Sequence, residues 1–197
     1  GSAPDLGVNA AEYAVRFVAR LMELREHLKN RAPTDSRFEP PWTTLSVGRI
    51  SGGVAHNVIV GKADVDWEMR PVQAADLAFV NDNMQQYIHE TLIPAMRQVY
   101  PAADISTEII AEICGLDPMP ENAARQLVSE LTGANSADLV AFGTEAGLFQ
   151  GLGLSAVVCG PGSIAQAHKP DEYVALDQLS ACLEMLTGLG RKLHCAA

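Results

Sequence analysis

A chain of 197 residues, 48% hydrophobic and 19% charged, holds one large domain or two small ones and has the material for a buried core. Its formal net charge of -10 argues against a nucleic-acid or anionic-membrane surface, because phosphate binding needs a concentrated basic patch that no segment supplies. No apolar run approaches a bilayer span, the N-terminus has no secretory leader, and Cys114, Cys159, Cys182 and Cys195 form no C-x-x-C pair, so the chain reads as cytoplasmic with free thiols. Gly1-Ser2 stand where an initiator Met is expected and read as a tag remnant, so a trimmed piece of something longer is expected.

From Ala10 to Asn30, Tyr13, Ala14, Phe17, Val18, Leu21, Leu24 and Leu28 recur at helical spacing, with Glu12, Arg16, Arg20 and Glu23 on the opposite face. Asn9 and Glu12 have the spacing of a capping box, and Arg25, His27 and Lys29 suit the negative end of the dipole. A loop with Pro33, Pro40 and Pro41 follows. Strands are expected at Thr43 to Ile50, with Leu45 and Val47 on one face, and at Asn57 to Val60. Beyond Gly61, Ala63, Val65, Trp67 and Met69 alternate with Asp64, Asp66, Glu68 and Arg70, the pattern of a sheet wet on one face.

A long helix from Ala74 is expected to bury Leu77, Val80, Met84, Tyr87, Leu92 and Met96, with Pro94 kinking or ending it, before a strand from Ile105 to Ile113. This order suggests a two-layer α+β module ending near Cys114-Gly115-Leu116-Asp117-Pro118. The pattern then changes to helix Glu121 to Leu131, strand Asp138 to Phe142, a short helix from Ala146, strand Ser155 to Cys159 and a helix from Asp177. Such alternation signals parallel α/β, yet a two-strand piece of that kind should not be stable alone.

Several loops carry candidate chemistry. His168 sits in Gly160-Pro161-Gly162-Ser163-Ile164-Ala165-Gln166-Ala167-His168-Lys169-Pro170-Asp171-Glu172, leaving the C-terminal end of a strand where α/β sheets place their sites. By itself it suits either a metal ligand or a surface histidine bonded to Asp171 or Glu172. In Gly143-Thr144-Glu145-Ala146, Thr144 suits a helix cap or a carboxylate-binding turn, and Glu145 a first-turn carboxylate or the partner of an amine. His56 and Asn57, after Gly52-Gly53-Val54-Ala55, suit a structural turn or hydrogen bonds to a developing oxyanion. Arg70 suits bidentate carboxylate binding or surface ion pairs with Asp64, Asp66 or Glu68. His27, His89 and His194 lie outside the apolar stripes and read as solvated.

Together these segments resemble the M20 family of metal-dependent amidohydrolases and peptidases, most closely its acetylornithine deacetylase branch. Pro4-Asp5-Leu6-Gly7-Val8-Asn9-Ala10, Gly52-Gly53-Val54-Ala55-His56-Asn57-Val58-Ile59 and Glu68-Met69-Arg70-Pro71 are similar to successive landmarks of that family's lid, or dimerisation, domain. The Gly143 and Gly160 loops are similar to the last landmarks of its catalytic domain. The fold implied is α/β: residues 1–114 as an α+β lid lacking its first strand, and residues 115–197 as the C-terminal part of a zinc-hydrolase catalytic domain.

The resemblance implies that His168 is a ligand in a two-metal zinc or cobalt site, that Thr144, Glu145 and Arg70 bind substrate, and that His56 and Asn57 are catalytic groups reaching a partner subunit's active site. It implies a homodimer, an N-acyl amino acid substrate, and removal of the acetyl group from N-acetylornithine in arginine biosynthesis. A non-catalytic dimerisation fragment, a succinyl-diaminopimelate desuccinylase and a carboxypeptidase are the alternatives. Val60 departs from the proline usual after Asn-x-Ile, which is expected to loosen that loop. In the family the H-x-D ligands, the bridging aspartate, the paired glutamates and a lid histidine all come earlier in the chain than the segment matching Pro4, and this sequence contains none of them. The chain alone is therefore expected to be inactive, with His168 binding metal weakly or not at all.

Overall fold

The computed structural model describes residues 3–113, 115–139, 143–167 and 169–195. Two compact units emerge, Gly1–Ile109 with Leu139–Phe142, and Ile110–Asp138 with Gly143–Ala197.

In the first unit, helix α1 (Ala10–Lys29) begins where Asn9 Oδ1 accepts the Ala11 N–H at 3.2 Å and Asn9 Nδ2 donates to Glu12 Oε1 at 3.0 Å. Both bonds satisfy or orient groups that a helix start leaves unpaired. In its last turns Lys29 Nζ reaches Glu26 at 2.6 Å, and that hydrogen bond, joined by the lysine's charge, holds the Glu26 carboxyl below its usual range. Leu21, Leu24 and Leu28 are the anchors of the stripe, almost wholly withdrawn from water, each contributing about 2 kcal/mol by burial.

They pack on the antiparallel pair β1 (Thr44–Gly52) and β2 (Ala63–Arg70), which runs in register from Thr44 opposite Arg70 to Gly52 opposite Ala63. Leu45 belongs to the core with Leu21, Leu24, Leu28, Val80 and Met84, while Val47, Trp67 and Met69 close over it. Phe17 meets Trp67 edge-on at 6.5 Å. On the opposite face Arg49 pairs with Asp66 at 3.0 Å, Lys62 with Asp64 at 3.2 Å, and Arg70 with Glu68 at 3.2 Å. A bulge between Val47 and Arg49 reverses the alternation of β1, placing Arg49 opposite Asp66 and Ile50 opposite Val65.

Helix α2 (Ala74–Tyr87) runs through a π-helical segment, Ile88–Leu92, into helix α3 (Ile93–Val99). Pro94 therefore neither ends the helix nor stands in a regular interior. It falls at the first turn of α3, where its missing N–H has the least to satisfy. The wide turn also shifts the helical phase, so Ile88 and Ile93 are buried beside the expected Leu92 and Met96, whereas Leu77 and Tyr87 are only partly covered. Arg20, expected on the wet face of α1, instead donates to Asn83 Oδ1 at 3.2 Å and lies 6.0 Å from the Tyr87 ring centre.

The expected strand at Asn57 to Val60 is a turn and loop. Val58 N–H returns to Ala55 O at 3.2 Å, and Val60 O is taken by Ala10 N–H at 2.8 Å. Residues 105–113 form no ladder either. Ile105 packs on Ile88, Leu92 and Ile93, while Ile109 and Ile110 are exposed.

The second unit contains α4 (Ala123–Thr132), α5 (Ala146–Gly151) and α6 (Leu176–Cys195). Asn122 caps α4 by accepting the Arg125 N–H at 2.9 Å and ties it to the segment before the Gly160 loop by donating to Ala156 O at 2.7 Å. Gly133, in the left-handed conformation at φ 74°, closes the helix. A Cβ at Gly188 would stand 3.0 Å from Leu131 Cδ2, so the glycine permits the close approach of α6 to α4, with Lys192 and Glu130 paired nearby. Gln150 replaces a strand neighbour for Asp117, accepting its N–H at 2.9 Å and donating to its carbonyl at 2.8 Å.

Among the described residues this unit has no strand, which differs from the expectation at Ser155 to Cys159; Asp138 and Leu139 are not in a strand either, and residues 140–142 lie outside the described set. An apolar segment becomes a strand only when another supplies its ladder, and here none does. All the described buried hydrophobic side chains belong to the first unit. Cys159 and Cys182 are free thiols, and no described helix is long and apolar enough to cross a membrane.

Candidate functional site

The β1–β2 connection is built around two glycines. Gly53 has φ +85°, a region that L side chains rarely adopt, and a Cβ on Gly52 would lie 2.9 Å from both Lys62 O and Ala63 Cβ. The chain can thus reverse tightly, and its tip carries His56 and Asn57 into solvent. The return arm is anchored: Val60 O accepts from Ala10 N, and Ile59 presses against Gly7, whose Cβ would stand 3.0 Å from Ile59 Cδ1. The Val60 anchor is a backbone carbonyl, so it does not depend on the side chain at that position.

Arg70 lies at the opposite end of the hairpin. Its Nε donates to Glu68 Oε1 at 3.2 Å and a terminal nitrogen approaches Oε2 at 3.5 Å. Its guanidinium already faces a carboxylate, so holding a substrate acid there means exchanging one anion for another. Seven residue steps along β2 separate Arg70 from Ala63, about 23 Å at strand spacing, so His56 and Asn57 do not converge with Arg70 on one small molecule within one hairpin.

In the second unit, Thr144 Oγ1 accepts the Ala146 N–H at 3.1 Å, and Glu145 O accepts from Leu148 and Phe149 at 3.0 and 3.2 Å. Thr144 thus uses one of the donors that a carboxylate would need, and α5 is a single short element of six residues. The Glu145 side chain is exposed. In the Gly160 loop, Gly162 (φ +108°) and Asp171 (φ 59°) are left-handed, and Ser163 Oγ caps the 3-10 turn Ile164–Gln166 by accepting from Ala165 N at 3.3 Å. Cys159 Sγ lies 3.6 Å from Met185 Sδ, fixing the approach to that loop on α6. His168 itself lies outside the described residues. His27, His89 and His194 are exposed.

Among the described residues no three His, Cys, Asp or Glu side chains gather as a metal set. One polar cluster has no counterpart among the sequence expectations: the buried Asp76 and Thr43, with Arg31 and Gln73 bonded to Asp76 from nearer the surface, joined across the first turn of α2. Its only trace in the sequence is an acidic residue in that turn, which the helix dipole explains equally well.

Comparison with known proteins places these loops in a wider context. Residues 1–96 match the model of the peptidase dimerisation domain and residues 111–192 that of peptidase family M20/M25/M40. The acetylornithine deacetylase of Myxococcus xanthus is 34% identical over 186 residues, covering 93% of this chain and 46% of the relative. Those of Klebsiella pneumoniae (strain 342) and Salmonella heidelberg (strain SL476) are 33% and 32% identical, each over 94% of this chain and 46% of the relative. The chain spans just under half the length of these curated relatives.

Proposed function

From the premise that this chain belongs to the M20 peptidase family, we propose that it supplies the lid and the closing part of the catalytic domain of an amide hydrolase that removes the acetyl group from N-acetylornithine. The observation that carries this reading is the alignment of 93% of the chain, through both units, with an acetylornithine deacetylase.

The chemistry assigned to this chain is binding and charge stabilisation. His56 and Asn57, exposed on a turn held by Gly52 and Gly53, donate hydrogen bonds to the oxyanion that develops as the amide is attacked. Arg70 exchanges Glu68 for the substrate carboxylate. Thr144 shapes the entry to α5, and Glu145, exposed beside it, meets the free amine of an ornithine-type substrate. The separation of His56 from Arg70 favours a homodimer in which the His56 turn of one copy serves the site of another. His168 is assigned to zinc or cobalt in the complete enzyme. The described residues do not form a metal site by themselves, and none of the contacts assigned to His56, Asn57, Arg70, Thr144 and Glu145 requires one.

A second reading is a non-catalytic dimerisation module, favoured by the placement of the described buried core entirely in the first unit. A chain that sediments as a monomer at every concentration overturns it. The deacetylase reading is tested by acetate release from N-acetylornithine, with the chain alone and combined with the M20 segment that precedes the lid. Release is expected only from the combination, and robust release by the chain alone would contradict the need for the preceding carboxylates. Related acyl groups are separated by Glu145→Gln, which should weaken ornithine-type substrates selectively.

A further inference from the structure

Sulfur collects on the covered side of α6. Between residues 181 and 190 the half-buried positions are Cys182, Met185, Gly188 and Leu189, which recur at helical spacing and so share one face. On this face Gly188 meets Leu131, and Met185 Sδ lies 3.6 Å from Cys159 Sγ, so the side that carries Cys182 is turned toward the segment that carries Cys159. Cys182 stands three residues before Met185, a spacing that sets side chains about 5–6 Å apart at their Cβ atoms. Both cysteines are free thiols, and the exposure of Cys159 leaves an approach from solvent.

We propose that Cys159, Cys182 and Met185 form a binding site for one soft monovalent cation, Cu(I). Two sulfurs bound to one ion at about 2.3 Å stand about 3.8–4.0 Å apart. The Cys159–Met185 pair, at 3.6 Å, therefore needs only a slight opening to hold an ion between them. Thiolate and thioether ligands select soft metals. Zinc takes four ligands, and among the described residues no third His, Cys, Asp or Glu joins the two cysteines, whereas Cu(I) is satisfied by a few sulfurs. The cysteines bind as thiolates, each releasing its proton, and the methionine supplies a neutral ligand. Nothing in this assignment depends on the deacetylase reading.

The test is anaerobic titration of the reduced full chain with Cu(I) in competition with a chromophoric cuprous chelator. A single bound equivalent is expected, weakened about a hundredfold by Cys159→Ser or Cys182→Ser and about tenfold by Met185→Leu, which keeps the side-chain bulk. Cys114 and Cys195 stand outside the proposed set, so replacing both with serine should leave the affinity unchanged. The chain without substitutions gives a second reading that no folding defect can mimic. Bound Cu(I) should shield Cys159 and Cys182 from alkylation, mapped by mass spectrometry, and leave Cys114 and Cys195 reactive. An affinity indifferent to Met185→Leu, or lost with Cys114 and Cys195, overturns the site. Alkylation of Cys159 at the same rate with and without copper overturns it as well.

Discussion

Thr43 Oγ1 donates to Asp76 Oδ2 at 2.5 Å, and neither residue retains any exposure to solvent. The same hydroxyl accepts the Val72 N–H at 3.1 Å, so one side chain fastens the strand approach to the turn that starts α2. The other Asp76 oxygen accepts from Arg31 Nε at 3.0 Å and Gln73 Nε2 at 3.1 Å, while the Arg31 guanidinium covers the Phe79 ring at 4.2 Å. The carboxylate is buried only because each oxygen has donors aimed at it.

Removing Asp76 should therefore cost more than its size suggests. Asp76→Ala leaves the Thr43 hydroxyl without its acceptor and Arg31 without its ion pair, and is expected to destabilise the first unit by about 3 kcal/mol. Thr43→Val keeps the shape and should cost about 1–2 kcal/mol. Urea unfolding followed by the fluorescence of Trp42 and Trp67 reads both, and losses under about 0.5 kcal/mol would show that the cluster is not stabilising.

The hairpin tip gives a backbone prediction. Gly53→Ala forces an L side chain into φ +85° and should cost about 1–2 kcal/mol, expressed locally as faster hydrogen exchange at the Gly52–Ala63 end of the ladder. Gly52→Ala should loosen that end further, since its new methyl meets a backbone oxygen. Unchanged exchange in both variants would mean that the turn relaxes without strain.

Glu26 offers a pH test on the surface of α1. Its folded carboxyl is held below the ordinary value by Lys29, so its small contribution to stability is present above the unfolded carboxylate range and is lost as pH falls through the depressed value. Lys29→Met should move the Glu26 titration upward in an NMR pH series. A midpoint unaffected by that substitution would assign the depression to another cause.

The distance between His56 and Arg70 predicts complementation between copies. In the complete enzyme, His56→Ala should lower kcat by about a hundredfold through loss of an oxyanion donor, with stability unchanged because the residue is exposed. Arg70→Ala should act chiefly on KM. Mixing the two impaired variants should raise activity at low substrate concentration above that of either, because in the proposed dimer a mixed pair regains one site with its own Arg70 and the other copy's His56. A mixture no more active than its parts would assign both residues to the site of the same copy.

The α1 stripe and the alternation of β2 are readable in the sequence because each depends on neighbours within a few residues along the chain. Leu21, Leu24 and Leu28 reach the core as their spacing indicates, and Asp64, Asp66 and Glu68 remain on the wet face as alternation requires. Arg20 departs from its expected solvation since its partners, Asn83 and Tyr87, are supplied by another helix. The candidate site is readable as motifs and loops: His56 and Asn57 occupy a turn, as glycine chemistry suggests, while Thr144 bonds the Ala146 N–H one residue before the α5 cap position, which Glu145 takes. The Glu68 partner of Arg70 is one of the options that strand alternation leaves open.

Sequence alone therefore determined where the helices lie, the inward faces of α1 and β2 and the loops that carry chemistry, because helical period, strand alternation and glycine freedom are local properties. Tertiary structure decided which apolar segments acquire ladders, that Asp76 can be buried charged, that a bulge turns Ile50 toward the Val65 side, and that His56 and Arg70 stand at opposite ends of one hairpin. Those outcomes depend on groups brought together from distant positions in the chain, and a hydrogen bond, an ion pair or a strand partner exists only once both members are in place.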